Sequence, residues 1–333
     1  MSERIPDAPP EILSVSDTKK RPMFSVMIPS YNCMEYLAKT IESVLIQDPG
    51  RELMQIEVID DCSTDGDIAA LVYEVGKGRI SFFQQSQNRG SLRNFETCIN
   101  RANGIYIHLL HGDDLVKPGF YDEIKNLFNQ YPEIGSAITN YNWVDENERE
   151  SKPALELLLK PGIIDNWLYK IASQQMVQPP AVVVKRSVYE KLGGFFAVHY
   201  GEDWEMWIRI ASQYKVAYSS KCLATYRGGH SSNISTKSIL SGENFRDLSI
   251  VIDIAQNYLP QSKRKRLKHL ARKNFAISYS KSAYKLFKKN HTNKTTSFKL
   301  MNGALKFDIN IRSIYWSGSL CVAWLISFFK KNK

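Results

Sequence analysis

The chain has 333 residues, 43% of them apolar and 23% charged, the balance of a globular protein with room for one large domain plus an appendage, or for two ordinary domains. Five cysteines (Cys33, Cys62, Cys98, Cys222 and Cys321) are scattered without C-x-x-C spacing, which argues against a disulfide framework or a structural zinc site and for a reducing compartment. The net charge of +10 is uneven: residues 261–333 hold 18 Lys/Arg against one acid, Asp308, whereas the first 260 residues hold 26 Lys/Arg against 33 Asp/Glu. A basic end of that kind seeks a polyanion.

Residues 1–21 are polar and Pro-rich with no apolar stretch, and read as a mobile leader rather than a signal peptide. FSVMI (24–28) then reads as a buried strand, and MEYLAKTIESVLIQ (34–47) as a helix with Leu37, Ile41, Val44 and Leu45 on one face. IEVID (56–60) is a second strand, DIAALVYEVGKG a short helix and ISFFQQ (80–85) a third strand. SLRNFETCINRANG (91–104) predicts a helix with Gly104 as its C-cap. IYIHLL (105–110) is the fourth strand, followed by a helix over 117–132. Alternation of this kind means βαβ units and a mainly parallel sheet.

From about residue 134 the pattern loosens. IGSAITNYNWVDE reads as a strand, NWLYKIASQQ (166–175) as a helix, AVVVKR (181–186) as a strand, and SVYEKLGGF as a helix with a Gly stop. GEDWEMWIRIASQY opens a helix on two acids, with Trp207, Ile208 and Ile210 as core positions. KVAYSS and CLATYR read as two further strands, and from 242 the chain is helical and basic.

Ligands of parallel sheets sit beyond the strand C-terminal ends, at a switch point in strand order. Those ends are Pro29-Ser30-Tyr31-Asn32, Asp60-Asp61, Gln84–Asn88 and His111-Gly112-Asp113-Asp114. G-x-G-x-x-G after the first strand and G-x-x-x-x-G-K-[ST] are both absent from the sequence, which removes a dinucleotide fingerprint and a Walker loop. HGDD is either a solvated turn with chance acids or a grip on a hard divalent cation, Mn²⁺ or Mg²⁺, which takes one or two carboxylates and completes its shell with substrate phosphate. Glu202 and Asp203 suit the positive end of a helix as plain capping acids.

SVMIPSYN, VIDDCSTDG, NRGSLRNFETCINRANGIYIHLLHGDD, VVVKRSVYEKLGGF, GEDWEMWIRIA and YRGGHSSNIS stand in that order across residues 23–235. Together they resemble the family 2 inverting glycosyltransferases of GT-A fold, like those that build bacterial surface polysaccharides. The resemblance implies an α/β fold with helices on both faces of a mixed, mainly parallel sheet, and a C-terminal helical appendage. It divides the chain into a leader (1–21), a catalytic domain (22–235, with a nucleotide-binding half to 133 and an acceptor half from 134) and a basic helical region (236–333).

The donor so implied is a nucleotide-diphosphate sugar, a UDP-sugar first. Asp61, with Asp60 beside it, matches the acceptor of a base N–H, a role that suits an ionised carboxylate. Pro29, Tyr31 and Asn32 match the segment against the nucleoside, where Tyr31 either stacks or simply packs. Arg93 is either near the nucleotide or a solvated helix charge. The usual D-x-D is His111-Gly112-Asp113 here, so its first acid is missing; Asp113 matches the metal ligand, Asp114 supports it, and His111 reaches ribose or phosphate or is a plain surface histidine. Asp203 matches the general base, which an acceptor hydroxyl needs, with Glu202 second; Trp204 is placed against the acceptor sugar. His230 matches a group near the diphosphate, as metal ligand or phosphate donor, or is a plain loop histidine.

Residues 313–329 hold no charge. At 17 residues the run is short for a span, which needs about 20; it is either a buried helix or a segment on an anionic inner leaflet. The acceptor is then a glycan or lipid-linked glycan, the location cytoplasmic and peripheral on the cell membrane, and nucleic acid is not a partner, because no recognition module accompanies the basic run. Two other readings remain: a non-catalytic scaffold, favoured by the missing first acid, and a sugar nucleotidyltransferase, disfavoured by the lack of a Gly-rich basic first loop.

Overall fold

The structure, a computed structural model, describes residues 4–15, 20–145, 147–228, 234–289 and 293–331. Its centre is a nine-stranded mixed sheet, mostly parallel, in the order β3-β2-β1-β4-β8-β6-β9-β5, with β7 also on β9. β1 (Phe24–Ser30), β2 (Met54–Asp60), β3 (Ser81–Gln84) and β4 (Tyr106–Leu109) run parallel. β8 (Val182–Lys185) is antiparallel to both β4 and β6 (Ile134–Val144), and β6 runs parallel to β9 (Lys215–Arg227). The short β5 (Leu115–Val116) and β7 (Gly162–Ile163) lie antiparallel on β9.

β1 is buried along its whole length, as an apolar strand covered on both faces must be. The chain runs outward from β1 through β2 to β3, then returns to place β4 on the other side of β1. That reversal opens a crevice above the C-terminal ends of β1 and β4, where Pro29–Asn32 and His111–Asp114 emerge.

Helices pack around this sheet. α1 (Met34–Leu45) buries Leu37, Ile41 and Val44, the face its spacing predicts. α2 (Ile68–Gly76) starts at Asp67, whose side chain accepts from Ala70 N at 2.9 Å. α3 (Ser91–Arg101), α4 (Phe120–Gln130), α5 (Trp167–Ser173), α6 (Arg186–Leu192) and α7 (Glu202–Gln213) follow. α8 (Ile234–Ser241), α9 (Asn244–Ala255), α10 (Gln261–Lys289), α11 (Lys294–Phe307) and α12 (Ile311–Lys331) make up the C-terminal helical region.

Three expectations change. Gly104 does not cap α3, which ends at Arg101 with Ala102 extended. Its bare Cα is needed elsewhere: a Cβ there would lie 2.5 Å from Ser25 N on β1. KVAYSS and CLATYR form one strand, β9, because the polar break between them is absorbed as register shifts around Asn140, which pairs with Cys222 directly after Thr139 pairs with Ser219. Residues 4–15, within the segment read as a mobile leader, pack on the domain. Ile12 is 2% exposed, Pro6 and Pro10 carbonyls accept from Ala197 N and Gly194 N at 2.8 Å, and buried Arg186 donates to Leu13 O at 2.7 Å.

The C-terminal helical region is docked on α5 and α7. Tyr258 Oη donates to Glu205 Oε1 on α7 at 2.6 Å. The Phe275 ring of α10 meets Trp204 edge to face at 4.8 Å, and Asn274 Nδ2 donates to Ser173 O at 3.0 Å.

Candidate active site

A cleft of about 660 Å³ opens at the switch point and gathers Pro29, Tyr31, Asn32, Asp61, His111, Asp113, Glu202 and Asp203 on its walls, a size common for small-ligand sites. Residues 29–32 and 61 come from the ends of β1 and β2, residues 111–113 from the end of β4, and residues 202–203 from the first turn of α7. Positions separated by as much as 170 residues of sequence thus converge because each follows a strand end or begins a helix beside one.

The HGDD loop is pressed onto β1. Gly112 N donates to Pro29 O at 3.1 Å, and a Cβ on Gly112 would lie 2.7 Å from Cys33 Sγ, so only glycine lets the loop sit this low. His111 stacks on Phe95 with centroids 5.1 Å apart and 10° between planes. Burial pulls its imidazole below the usual histidine value, against the opposing pull of Asp113, which keeps a nitrogen lone pair available at neutral pH.

Asp114 is 1% exposed. One of its oxygens accepts Arg227 N at 2.8 Å, and the other, Oδ2, has no hydrogen-bond partner among the described residues. Burial, and then the charge of Asp113, hold its carboxyl well above the usual range. Ligand atoms of His111, Asp113 and Asp114 lie within 4.8 Å of one another. Two carboxylates, one with an orphaned buried oxygen, and a neutral imidazole fit a divalent cation such as Mn²⁺ or Mg²⁺.

Arg227, at the end of β9, secures this loop. Its Nε donates to Asp113 O at 2.9 Å, its Nη1 to Glu148 Oε1 at 2.7 Å, and its guanidinium lies 4.6 Å above the centre of the Tyr36 ring. The YRGG motif contained it, but nothing local in sequence tied it to HGDD.

Asp203 and Glu202 face the cleft from α7. Asp203 Oδ2 accepts from Gln175 Nε2 at 2.6 Å and Oδ1 from Trp204 N at 2.7 Å. Burial raises its carboxyl to about 6. Glu202 is pushed well above the usual range, by burial first and then by Asp203.

Other placements differ from expectation. Trp204 is fully buried, donates from its indole to Ile171 O at 2.7 Å and packs on Phe275; it is a core residue and offers no face to an acceptor. Trp207, Ile208 and Ile210 are core as predicted. Asp60 is fully buried and accepts from Ser63 N at 2.9 Å and Gln84 Nε2 at 3.0 Å, so it holds the loop after β2 rather than facing the cleft. Arg93 pairs with Glu96 at 2.7 Å on α3 and stands outside the cleft lining.

Asp61 does line the cleft, but its carboxylate already accepts from Arg89 N (2.7 Å), Gly90 N (2.8 Å) and Asn88 Nδ2 (3.0 Å). Burial nonetheless raises it. A carboxylate has about four acceptor positions, so one remains for a ligand donor. His230 lies outside the described residues.

Gln175, Gln178, Asn88, His199 and Arg4 also line the cleft. Glutamines in a loop and a histidine before a helix carry no local signature, and sequence reading passed over them. Arg4 reaches the Asn88 side chain from the N-terminal segment.

Residues 25–193 match the family described as Glycosyl transferase family 2. The minor teichoic acid biosynthesis protein GgaB of Bacillus subtilis is 34% identical over 111 residues, covering 32% of this chain and 12% of GgaB. Among solved structures, S. aureus TarS 1–349 in complex with UDP-GlcNAc superposes with a TM-score of 0.64 at 14% identity, over 85% of this chain and 81% of that one. The mannosyltransferase PcManGT from Pyrobaculum calidifontis, in complex with GDP-Man and Mn²⁺, gives 0.57 at 18% identity, over 98% and 90%.

Proposed function

The chain belongs to glycosyl transferase family 2, and we propose that it catalyses inverting, metal-dependent transfer of a hexosyl or N-acetylhexosaminyl group from a nucleotide-diphosphate sugar to a hydroxyl of a glycan or lipid-linked glycan. The carrying observation is that a cation-fitting cluster at His111–Asp114 and a carboxylate raised to about 6 at Asp203 meet at one cleft. The likeness to GgaB, a minor teichoic acid biosynthesis protein, supports a place in surface-polymer synthesis.

In this reading Tyr31 and Asn32 lie against the nucleoside and the remaining acceptor position of Asp61 takes a base N–H. His111, Asp113 and Asp114 would hold Mn²⁺ or Mg²⁺, which when bound offsets the charge gathering on the leaving diphosphate. Asp203 takes the proton of the acceptor hydroxyl. The freed oxygen attacks the anomeric carbon from the side opposite the diphosphate, so the C–O bond to phosphate breaks as the new one forms and configuration inverts. Glu202, whose carboxyl is raised well above the usual range by burial and then by the charge of Asp203, is the second candidate for the base. Gln175 holds Asp203 in line.

The test is a thermal-shift screen with UDP, dTDP and GDP, each with and without Mn²⁺, on the wild type and Asp113→Ala. A cation-dependent rise for one nucleotide, lost in the variant, is the expected result. Flat curves for all three sink the reading.

A further inference from the structure

The last helix carries its polarity reversed. α12 packs along α10 and α11 with a seam that buries Ser313, Ser317 and Leu320, at 0%, 7% and 0% exposure, flanked by the partly buried Trp316 and Trp324, whose rings meet Tyr284 and Phe298. On the opposite side, at intervals of three and four residues, stand Ile311, Ile314, Val322, Leu325, Ile326 and Phe329, between 45% and 87% exposed. Gly318 falls in the same row, with open space where a side chain would point. A helix on a globular protein ordinarily turns its apolar stripe inward; here serines share the inner seam with two tryptophans and a leucine, while a row of branched chains and Phe329 goes out. Single exposed apolar residues need no explanation, but a continuous row about 27 Å long does.

We propose that this face of α12 is a docking surface for an anionic lipid membrane, with the helix lying in the plane of the headgroups. Charge selects the occupant. Residues 261–333 carry a net +17, so a second copy apposed on this face would bring like charge to like charge, whereas anionic headgroups neutralise it. Exposed Lys281 of α10 and Lys294 of α11 lie along α12, with their ammonium groups 5.5 and 4.5 Å from the ring centres of Trp316 and Trp324. Indole beside ammonium is the side-chain chemistry of a membrane–water boundary. No helix among the described residues is long and apolar enough to cross a membrane, so the row lies on the surface and does not span it. The first 260 residues are net −7, which turns the rest of the molecule away from the same surface. The face is independent of the cleft chemistry and stands or falls separately from it.

The experiment is co-sedimentation of the full chain with phosphatidylcholine vesicles, and with vesicles of phosphatidylcholine and phosphatidylglycerol in a two-to-one ratio. The triple variant Val322→Ser/Leu325→Ser/Phe329→Ser is run alongside. Wild type is expected to pellet with the anionic vesicles only and to be released by high salt. The variant binds about tenfold less or weaker while melting at the same temperature, since the three side chains are exposed in the fold. Tryptophan emission of the wild type, which needs no variant, shifts to shorter wavelength with the anionic vesicles alone. Failure to bind those vesicles, or equal binding by the variant, overturns the proposal. So does a wild-type dimer in sedimentation equilibrium that the triple substitution turns into a monomer, which assigns the face to a second copy.

Discussion

Asp203 has both carboxylate oxygens engaged, one by Gln175 Nε2 and one by Trp204 N, and still titrates high, at about 6, because burial outweighs those two donors. Its neighbour Glu202 is also raised well above the usual range, by burial first and then by the charge of Asp203. A carboxyl at about 6 is ionised at neutral pH, as the proposed base must be. The rate is expected to fall as pH drops through about 6, and Asp203→Asn to lower kcat by about 10²- to 10⁴-fold while leaving the Kd for nucleotide unchanged; a pH–rate profile and a binding titration check both. The same shift has a stability sign. The folded state binds this proton more tightly than the unfolded chain, whose value is 3.8, so stability declines as pH rises from 3.8 to about 6 and stays lowered above it. Asp203→Asn should accordingly melt higher than wild type at pH 7.5 and lose that advantage below pH 3.8. The two acids of this motif were legible in sequence only through the family resemblance, because a helix start takes plain capping acids just as readily. Trp204 was not: an aromatic next to an acid reads the same whether it faces a sugar or the core. One residue of helix turns it by about 100°, away from the cleft and onto Ile171 and Phe275. Trp204→Ala should thus cost about 3–5 kcal/mol of stability, and Trp204→Phe should leave the acceptor KM as it is.

At the scale of elements, the cation-fitting loop is made by β4 and held by β9. Arg227 donates to the Asp113 carbonyl, its own N–H is accepted by Asp114, and it pairs with Glu148. Removing the guanidinium frees the loop to lift from β1 without emptying a ligand position. Arg227→Met is expected to weaken Mn²⁺-dependent nucleotide binding by about tenfold or more, and Arg227→Lys not to restore it, because an ammonium lacks the fork that reaches two acceptors at once. Calorimetric titration with Mn²⁺ and nucleotide, with circular dichroism to confirm the fold, measures this. The four parallel strands and their helices were legible because each is a local pattern of period two or 3.6. β9 was misread as two strands, because Ser219–Cys222 is polar in sequence and only its pairing with β6 shows the chain continuing through a bulge. The link from Arg227 to Asp113 spans more than a hundred residues, and no local pattern encodes such a contact.

At the scale of the molecule, the basic region could be counted in sequence, but its attachment could not. α10 lies behind α7, the helix that carries Glu202 and Asp203. Phe275 covers Trp204, Tyr279 Oη meets Tyr200 Oη at 2.7 Å, and Asn274 ties down the end of α5. α12, by contrast, packs on α10 and α11 through serines, one buried leucine and the partly buried Trp316 and Trp324. The two pieces should therefore part company on truncation. A chain ending at residue 310 loses the apolar outer face and its serine seam, and is expected to keep a cooperative melt and any nucleotide binding of the full chain. A chain ending at residue 260 uncovers Trp204 and the Tyr200 hydroxyl on the cleft side, and burying that aromatic surface contributes stability on the order of several kcal/mol. It is expected to melt at markedly lower temperature and to lose nucleotide binding with it. Scanning calorimetry of the two truncations decides the matter. Equal melting of both would mean that α10 is an attachment laid on a finished domain, whereas loss confined to the shorter chain makes α10 a wall of the catalytic half that also carries the outward-facing α12.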